Sequence, residues 1–180
     1  LDGVRVDTTL SLADHRDFLR IDNGLELNGQ LTIGRQSRVY LRGTQSLTGT
    51  GEVVFTPSDT AYAQGLFLEQ SYTTLTIEDG ITVRGGNGTI GRSDGYWNTA
   101  SNVSVVNRGV IDASTSGRRI EVRPTGGTFT NEGTLRSSGG VLDVDGLVGN
   151  AGLVDPQAGT VDLSGDYTLD QDINVSGAGL

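Results

Sequence analysis

Ile77-Glu78-Asp79-Gly80-Ile81-Thr82-Val83 decides the fold of this chain. An acidic or amide residue leads into a glycine, and apolar residues follow at alternate positions. The same unit returns as Ile21-Asp22-Asn23-Gly24-Leu25-Glu26-Leu27 and as Val106-Asn107-Arg108-Gly109-Val110-Ile111. With Gly3, Gly24, Gly51, Gly80, Gly109, Gly133 and Gly152 taken as equivalent, the unit repeats at roughly two dozen residues, an interval of solenoids and arrays. A second apolar pair follows in most units, among them Val39 with Leu41, Leu66 with Leu68, Ile120 with Val122 and Leu142 with Val144. The spacing is two, which turns one side of a strand inward.

Short strands separated by Gly, Asn, Asp, Thr and Ser bury no apolar face alone. Stacked one above another they do, at about 4.8 Å per layer. The expectation is an all-β, single-stranded parallel β-helix, or solenoid, of about seven coils, with longer loops in the middle coils. Residues 1–180 form one such domain, read as a segment of a larger protein because the chain opens without Met. A helical reading fails on the 28 glycines and the many Thr, Val, Ser and Asn residues. The rival is a sandwich of antiparallel hairpins, for which Asn23-Gly24 and Asp79-Gly80 are suitable two-residue turns. Recurrence of one whole unit favours the solenoid.

Composition narrows the function classes. Hydrophobic residues make up 34% of the chain and aromatics 6%, so the core is thin and built from Val, Leu and Ile. Cysteine is absent, which removes disulfides, zinc-thiolate sites and cysteine catalysis. The net charge of -9 argues against nucleic acid and anionic membranes as partners. No apolar run approaches the roughly 20 residues of a membrane-spanning helix, so no membrane insertion is expected.

Phe129-Thr130-Asn131-Glu132-Gly133-Thr134-Leu135, Asn150-Ala151-Gly152-Leu153-Val154 and Gly159-Thr160-Val161-Asp162-Leu163-Ser164-Gly165 carry a resemblance. They resemble the degenerate repeats of filamentous-haemagglutinin-like exoproteins, autotransporter passengers and other large β-helical bacterial adhesins. The likeness covers residues 19–180. It implies a right-handed helix, an exported, cell-surface location on a bacterium, and a stalk or adhesive role toward surface glycans or host and cell-surface proteins. It carries over no catalytic residue and no cofactor.

Asn107, Asn131 and Asn150 each stand two places before a repeat glycine, so stacking predicts a structural asparagine ladder in which amides pair donor to acceptor. Asp22 and Glu78 hold the matching place in earlier coils and are expected to face water. One stretch abandons the alternation. It is Gly91-Arg92-Ser93-Asp94-Gly95-Tyr96-Trp97-Asn98, with the single Trp of the chain. Aromatic rings beside polar groups suit sugars, the ring stacking on an apolar sugar face. Trp97, Tyr96, Asp94 and Asn98, joined by Tyr62 from the preceding long excursion, form the candidate carbohydrate-binding patch; the plainer reading, favoured by the single copy of the stretch, is a large ring folded back over exposed core.

A polysaccharide lyase or hydrolase is the second alternative. Its acids are expected at Asp143, Asp145 and Asp162, a row that equally describes a solvated strand face. His15 is the only histidine and has no companion motif, so the chain is read as a non-enzyme. No metal is expected either. Gly85-Gly86-Asn87-Gly88-Thr89-Ile90 begins like a calcium-binding repeat but places Ile where Asp is needed. Thr48 with Thr50 and Thr128 with Thr130 give Thr-x-Thr pairs, without the regular recurrence that a threonine ladder for ice requires.

Overall fold

The computed structural model describes residues 1–57, 64–92 and 100–171. Among these residues there is no helix, and nineteen strands follow one another along the chain. They are β1 (Asp2–Val6), β2 (Thr9–Leu12), β3 (Phe18–Leu27), β4 (Gln30–Ile33), β5 (Arg38–Arg42) and β6 (Gln45–Thr48). Next come β7 (Glu52–Phe55), β8 (Gln64–Leu68), β9 (Thr74–Ile77), β10 (Thr82–Gly85), β11 (Gly88–Gly91), β12 (Val103–Asn107) and β13 (Val110–Ala113). The last are β14 (Arg119–Arg123), β15 (Gly126–Asn131), β16 (Thr134–Ser137), β17 (Val141–Asn150), β18 (Leu153–Pro156) and β19 (Thr160–Thr168).

Every strand pairing is parallel. This excludes the hairpin sandwich, whose neighbours are antiparallel. One sheet has seven strands in the order β18-β16-β13-β10-β7-β4-β2. The other has twelve and divides into two wings, because β3, β17 and β19 are long enough to serve both. In the first wing β3 pairs through Phe18–Asp22 with β5, and β8, β11, β14, β17 and β19 follow. In the second wing β1 pairs with the distal half of β3, followed by β6, β9, β12, β15 and the distal halves of β17 and β19. The chain visits second wing, seven-stranded sheet and first wing in turn. Such pairing is consistent with a β-solenoid.

Alternation supplies the core. One inward column of the first wing runs through Val39, Leu66, Ile90, Val122 and Val144, all fully buried and in register. The seven-stranded sheet contributes Leu31, Val53, Val83, Ile111 and Leu135 in the same way. Burying each such side chain stabilises by about 1.5–3 kcal/mol, and no single layer suffices. Phe55 is larger than its neighbours, and the space it needs comes from Gly88 opposite. A Cβ on Gly88 would lie 2.1 Å from the Phe55 ring.

The glycine repeat is only partly in structural register. Gly51, Gly109, Gly133 and Gly152 do stand immediately before strands of the seven-stranded sheet. Gly80 falls one residue short, because Ile81 is the residue before β10. Gly3 and Gly24 belong instead to the second wing, and the place expected for Gly24 is filled by Gly29. The reason is local. β3 continues unbroken from one wing to the other, bending at Asn23 (φ 58°) and Gly24 (φ 88°), a left-handed pair that turns the chain without making a hairpin.

Candidate functional site

Tyr62, Asp94, Tyr96, Trp97 and Asn98 lie outside the described residues. The strands that follow and precede these segments in the chain, β8 and β11, are described. On most strands inward residues are buried and outward ones are not, yet all of β8 and β11 are buried on both sides. Phe67 points outward, is fully buried, and meets Tyr40 with ring centroids 6.2 Å apart. One rung further, the Arg20 guanidinium lies 5.7 Å from the Tyr40 ring centre and 5.5 Å from that of Phe18, which is 64% exposed. Arg20 also bonds Glu69 at 3.0 Å, and with Arg42 and Gln70 they line an open hollow of about 290 Å³. Its polar groups satisfy one another.

The predicted amide ladder exists for two of its three residues. Asn107 and Asn131 face each other across β12 and β15, both buried, and Asn107 Nδ2 donates to Asn131 Oδ1 at 2.7 Å. Asn131 Nδ2 donates onward to the carbonyls of Ala151 (2.6 Å) and Gly133 (3.1 Å). Asn150 does not join. It is exposed, lies opposite Thr168, donates to Asp170 and accepts the Gly152 N–H at 2.8 Å. Phe129 pairs with Leu147, so Gly149 takes the place level with Asn131, and the period-two pleat turns Asn150 outward. Ile77, not Glu78, lies level with Asn107, so the column becomes apolar below it. Glu78 faces outward and binds Arg108 at 3.1 Å.

Asp143 and Asp162 are in register on the outer side of the first wing, as expected, with Asp145 beyond them. The first and last of the β17 pair are engaged by arginines. Asp143 bonds Arg119, and Asp145 accepts from Arg123 at 2.9 Å while Arg123 also holds Glu121 at 2.8 Å. A general acid or base must reach a substrate proton, whereas these two carboxylates are already engaged by arginine. His15 is exposed in the turn between β2 and β3. Among the described residues no three carboxylate or histidine side chains gather for a metal. The Gly85–Gly88 stretch is a corner between β10 and β11, with the Asn87 N–H donated to the Arg119 carbonyl at 2.7 Å.

Arginine and carboxylate alternate elsewhere on the surface. Arg108 bridges Glu78 below and Glu132 above, the latter at 2.8 Å. Arg84 bonds Glu52 at 2.9 Å, and this hydrogen bond holds the Glu52 carboxyl below the usual carboxylate range against the opposing effect of partial burial. Asp7 is lowered likewise, first by the Asn28 amide and then by Arg5.

A larger hollow, about 460 Å³, opens on the second wing where Gly3 and Gly24 leave space beside Ser46, between Arg5 and Glu26 on one side and Thr44 on the other. It is shallow and of mixed polarity, without an aromatic wall, and its two charged residues, Arg5 and Glu26, pair with each other at 3.4 Å. The chain matches no family profile, no curated protein and no solved structure. Function therefore rests on the geometry above.

Proposed function

We propose that this chain is a right-handed solenoid of about seven coils that serves as a non-catalytic stalk or adhesive segment of an exported bacterial surface protein. The observation that carries the reading is the repeated three-strand passage, paired in register from β1 to β19. Backbone hydrogen bonds then run along one axis, and seven layers at about 4.8 Å give a stiff unit roughly 34 Å tall. The surface supports the same reading. Its arginines and carboxylates form mutual pairs rather than a cleft with free acid and base, and absence of cysteine suits passage across membranes unfolded. Partners of a stalk or adhesive segment are surface glycans or proteins of another cell.

Small-angle scattering tests the rod directly: a chain built this way has a height set by its layers and stays folded when joined to further coils. Glycan-array binding lost in Trp97→Ala would replace the stalk with a carbohydrate-binding module. Turnover of polyuronic acids lost in Asp143→Asn would replace it with an enzyme.

A further inference from the structure

Strand register brings together hydroxyls that are scattered in the sequence. On the outer side of the second wing, Ser46, Thr76, Val106 and Thr130 stand directly level on β6, β9, β12 and β15. A second outward column lies two residues earlier along each strand. There Ser104 is level with Thr74, the Thr74 N–H donates to Thr44 Oγ1 at 3.2 Å, and the Thr128 N–H donates to Ser104 Oγ at 3.2 Å. Only Val106 lacks a hydroxyl. Thr74-x-Thr76 and Thr128-x-Thr130 supply two Thr-x-Thr pairs on this wing, and between and below them stand Ser104 with Val106 and Thr44 with Ser46.

From this array we infer an ice-binding surface on the second wing. Parallel strands set the hydroxyls at about 4.8 Å between rungs and about 6.6 Å along each strand, a two-dimensional grid interrupted at β15, where the register slips by one residue between Val103 and Val105. Oxygen atoms on the faces of hexagonal ice repeat at distances of comparable size. The grid contains no charged side chain, and in the column that borders it Arg108 pairs with both Glu78 and Glu132, leaving one net negative charge. A neutral crystalline ligand meets no unpaired charge there. Threonine offers a methyl and a hydroxyl together, so the surface combines apolar contact with hydrogen bonding. All eight positions are exposed or half-buried, hence reachable. The array has no aromatic platform of the kind that holds a single dissolved sugar, and only its lower edge, at Thr44 and Ser46, borders the hollow described above. Three members have partners within the protein: Ser46 donates to Glu78 at 3.2 Å, and the oxygens of Thr44 and Ser104 accept the backbone N–H bonds given above.

The test is inhibition of ice recrystallisation by the full chain, with thermal hysteresis as a second readout. The expected result is inhibition at micromolar protein, reduced at least tenfold in Thr76→Lys, which plants a charge in the middle of the grid. Thr82→Lys, on the seven-stranded sheet, keeps full activity. Both variants retain the wild-type far-UV circular dichroism. Ice growth indistinguishable from that with an inert globular protein overturns the inference. So does equal loss in both variants, or adsorption to insoluble neutral polysaccharide without any effect on ice.

Discussion

Replacing Asn131 by alanine removes three buried hydrogen bonds, and their geometry sets the cost. The Gly133 carbonyl keeps a partner, because it also accepts the Leu153 N–H at 3.0 Å. Asn107 Nδ2 keeps weaker contacts with the carbonyls of Gly109 (3.3 Å) and Thr134 (3.4 Å). The Ala151 carbonyl loses the 2.6 Å donor and gains nothing. A stranded buried carbonyl costs about 1–3 kcal/mol and the lost amide pair about 0.5–1.5 kcal/mol, so the sum is near 3 kcal/mol. That lowers the folded-to-unfolded ratio about a hundredfold. Asn150→Ala, on an exposed amide, is expected to cost about 0.5 kcal/mol. Urea unfolding followed by far-UV circular dichroism compares the two. Asn131→Asp adds a check on the chemistry: its carboxyl can donate to Ala151 only when protonated. Burial raises that folded pKa, so the penalty at pH 7 shrinks as pH falls toward the unfolded value, about 3.9. Equal losses in Asn131→Ala and Asn150→Ala would refute the ladder as a stabilising element.

Three further outcomes follow from the packing and the charges. Gly88→Ala drives a methyl into the Phe55 ring and is expected to lose about 1–3 kcal/mol, with Phe55→Leu in the same chain restoring part of it; independent, additive losses would count against the complementary fit. Arg108→Ala breaks the bridge between Glu78 and Glu132 on an exposed side chain, so the loss is small and diminishes in 1 M salt; a large, salt-insensitive loss would contradict that. Glu52 has a depressed folded pKa, so its contribution is complete above the ordinary glutamate value of about 4.3 and disappears as pH falls through the folded value. Wild type and Glu52→Gln should therefore differ in urea midpoint at pH 7 by a gap that narrows as pH is lowered below the ordinary glutamate value, and a gap that widens on acidification would show the reasoning to be wrong.

Which residues enter the core was legible wherever the alternation was strict. Leu25, Leu27, Ile81, Val83, Ile120 and Val122 are all buried as the spacing demands. Adjacent pairs were ambiguous, since neighbours on a strand cannot both turn inward. Ile111 and Val154 are buried, while Val110 is half-buried and Leu153 is 52% exposed. Vertical neighbours were harder to read. Asn131 and Asn150 carry the same local motif, yet a one-residue offset at Gly149 separates a buried amide from an exposed one. The hydroxyl grid escaped notice for the same reason: passages of unequal length hide which Thr stands over which. Periodicity reports the direction of a side chain, whereas register depends on where each corner lets the next strand begin.

Corners also set what this architecture tolerates over evolutionary time. From β4 to β5 the chain needs only residues 34–37, whereas from β7 to β8 it uses 56–63, and still Gly65 lies level with Arg38 and Leu66 with Val39. The register of the described strands is kept despite the difference in length. Lineages can therefore lengthen, shorten or exchange these excursions while the interior stays the same, and surface novelty arises without renegotiating the core.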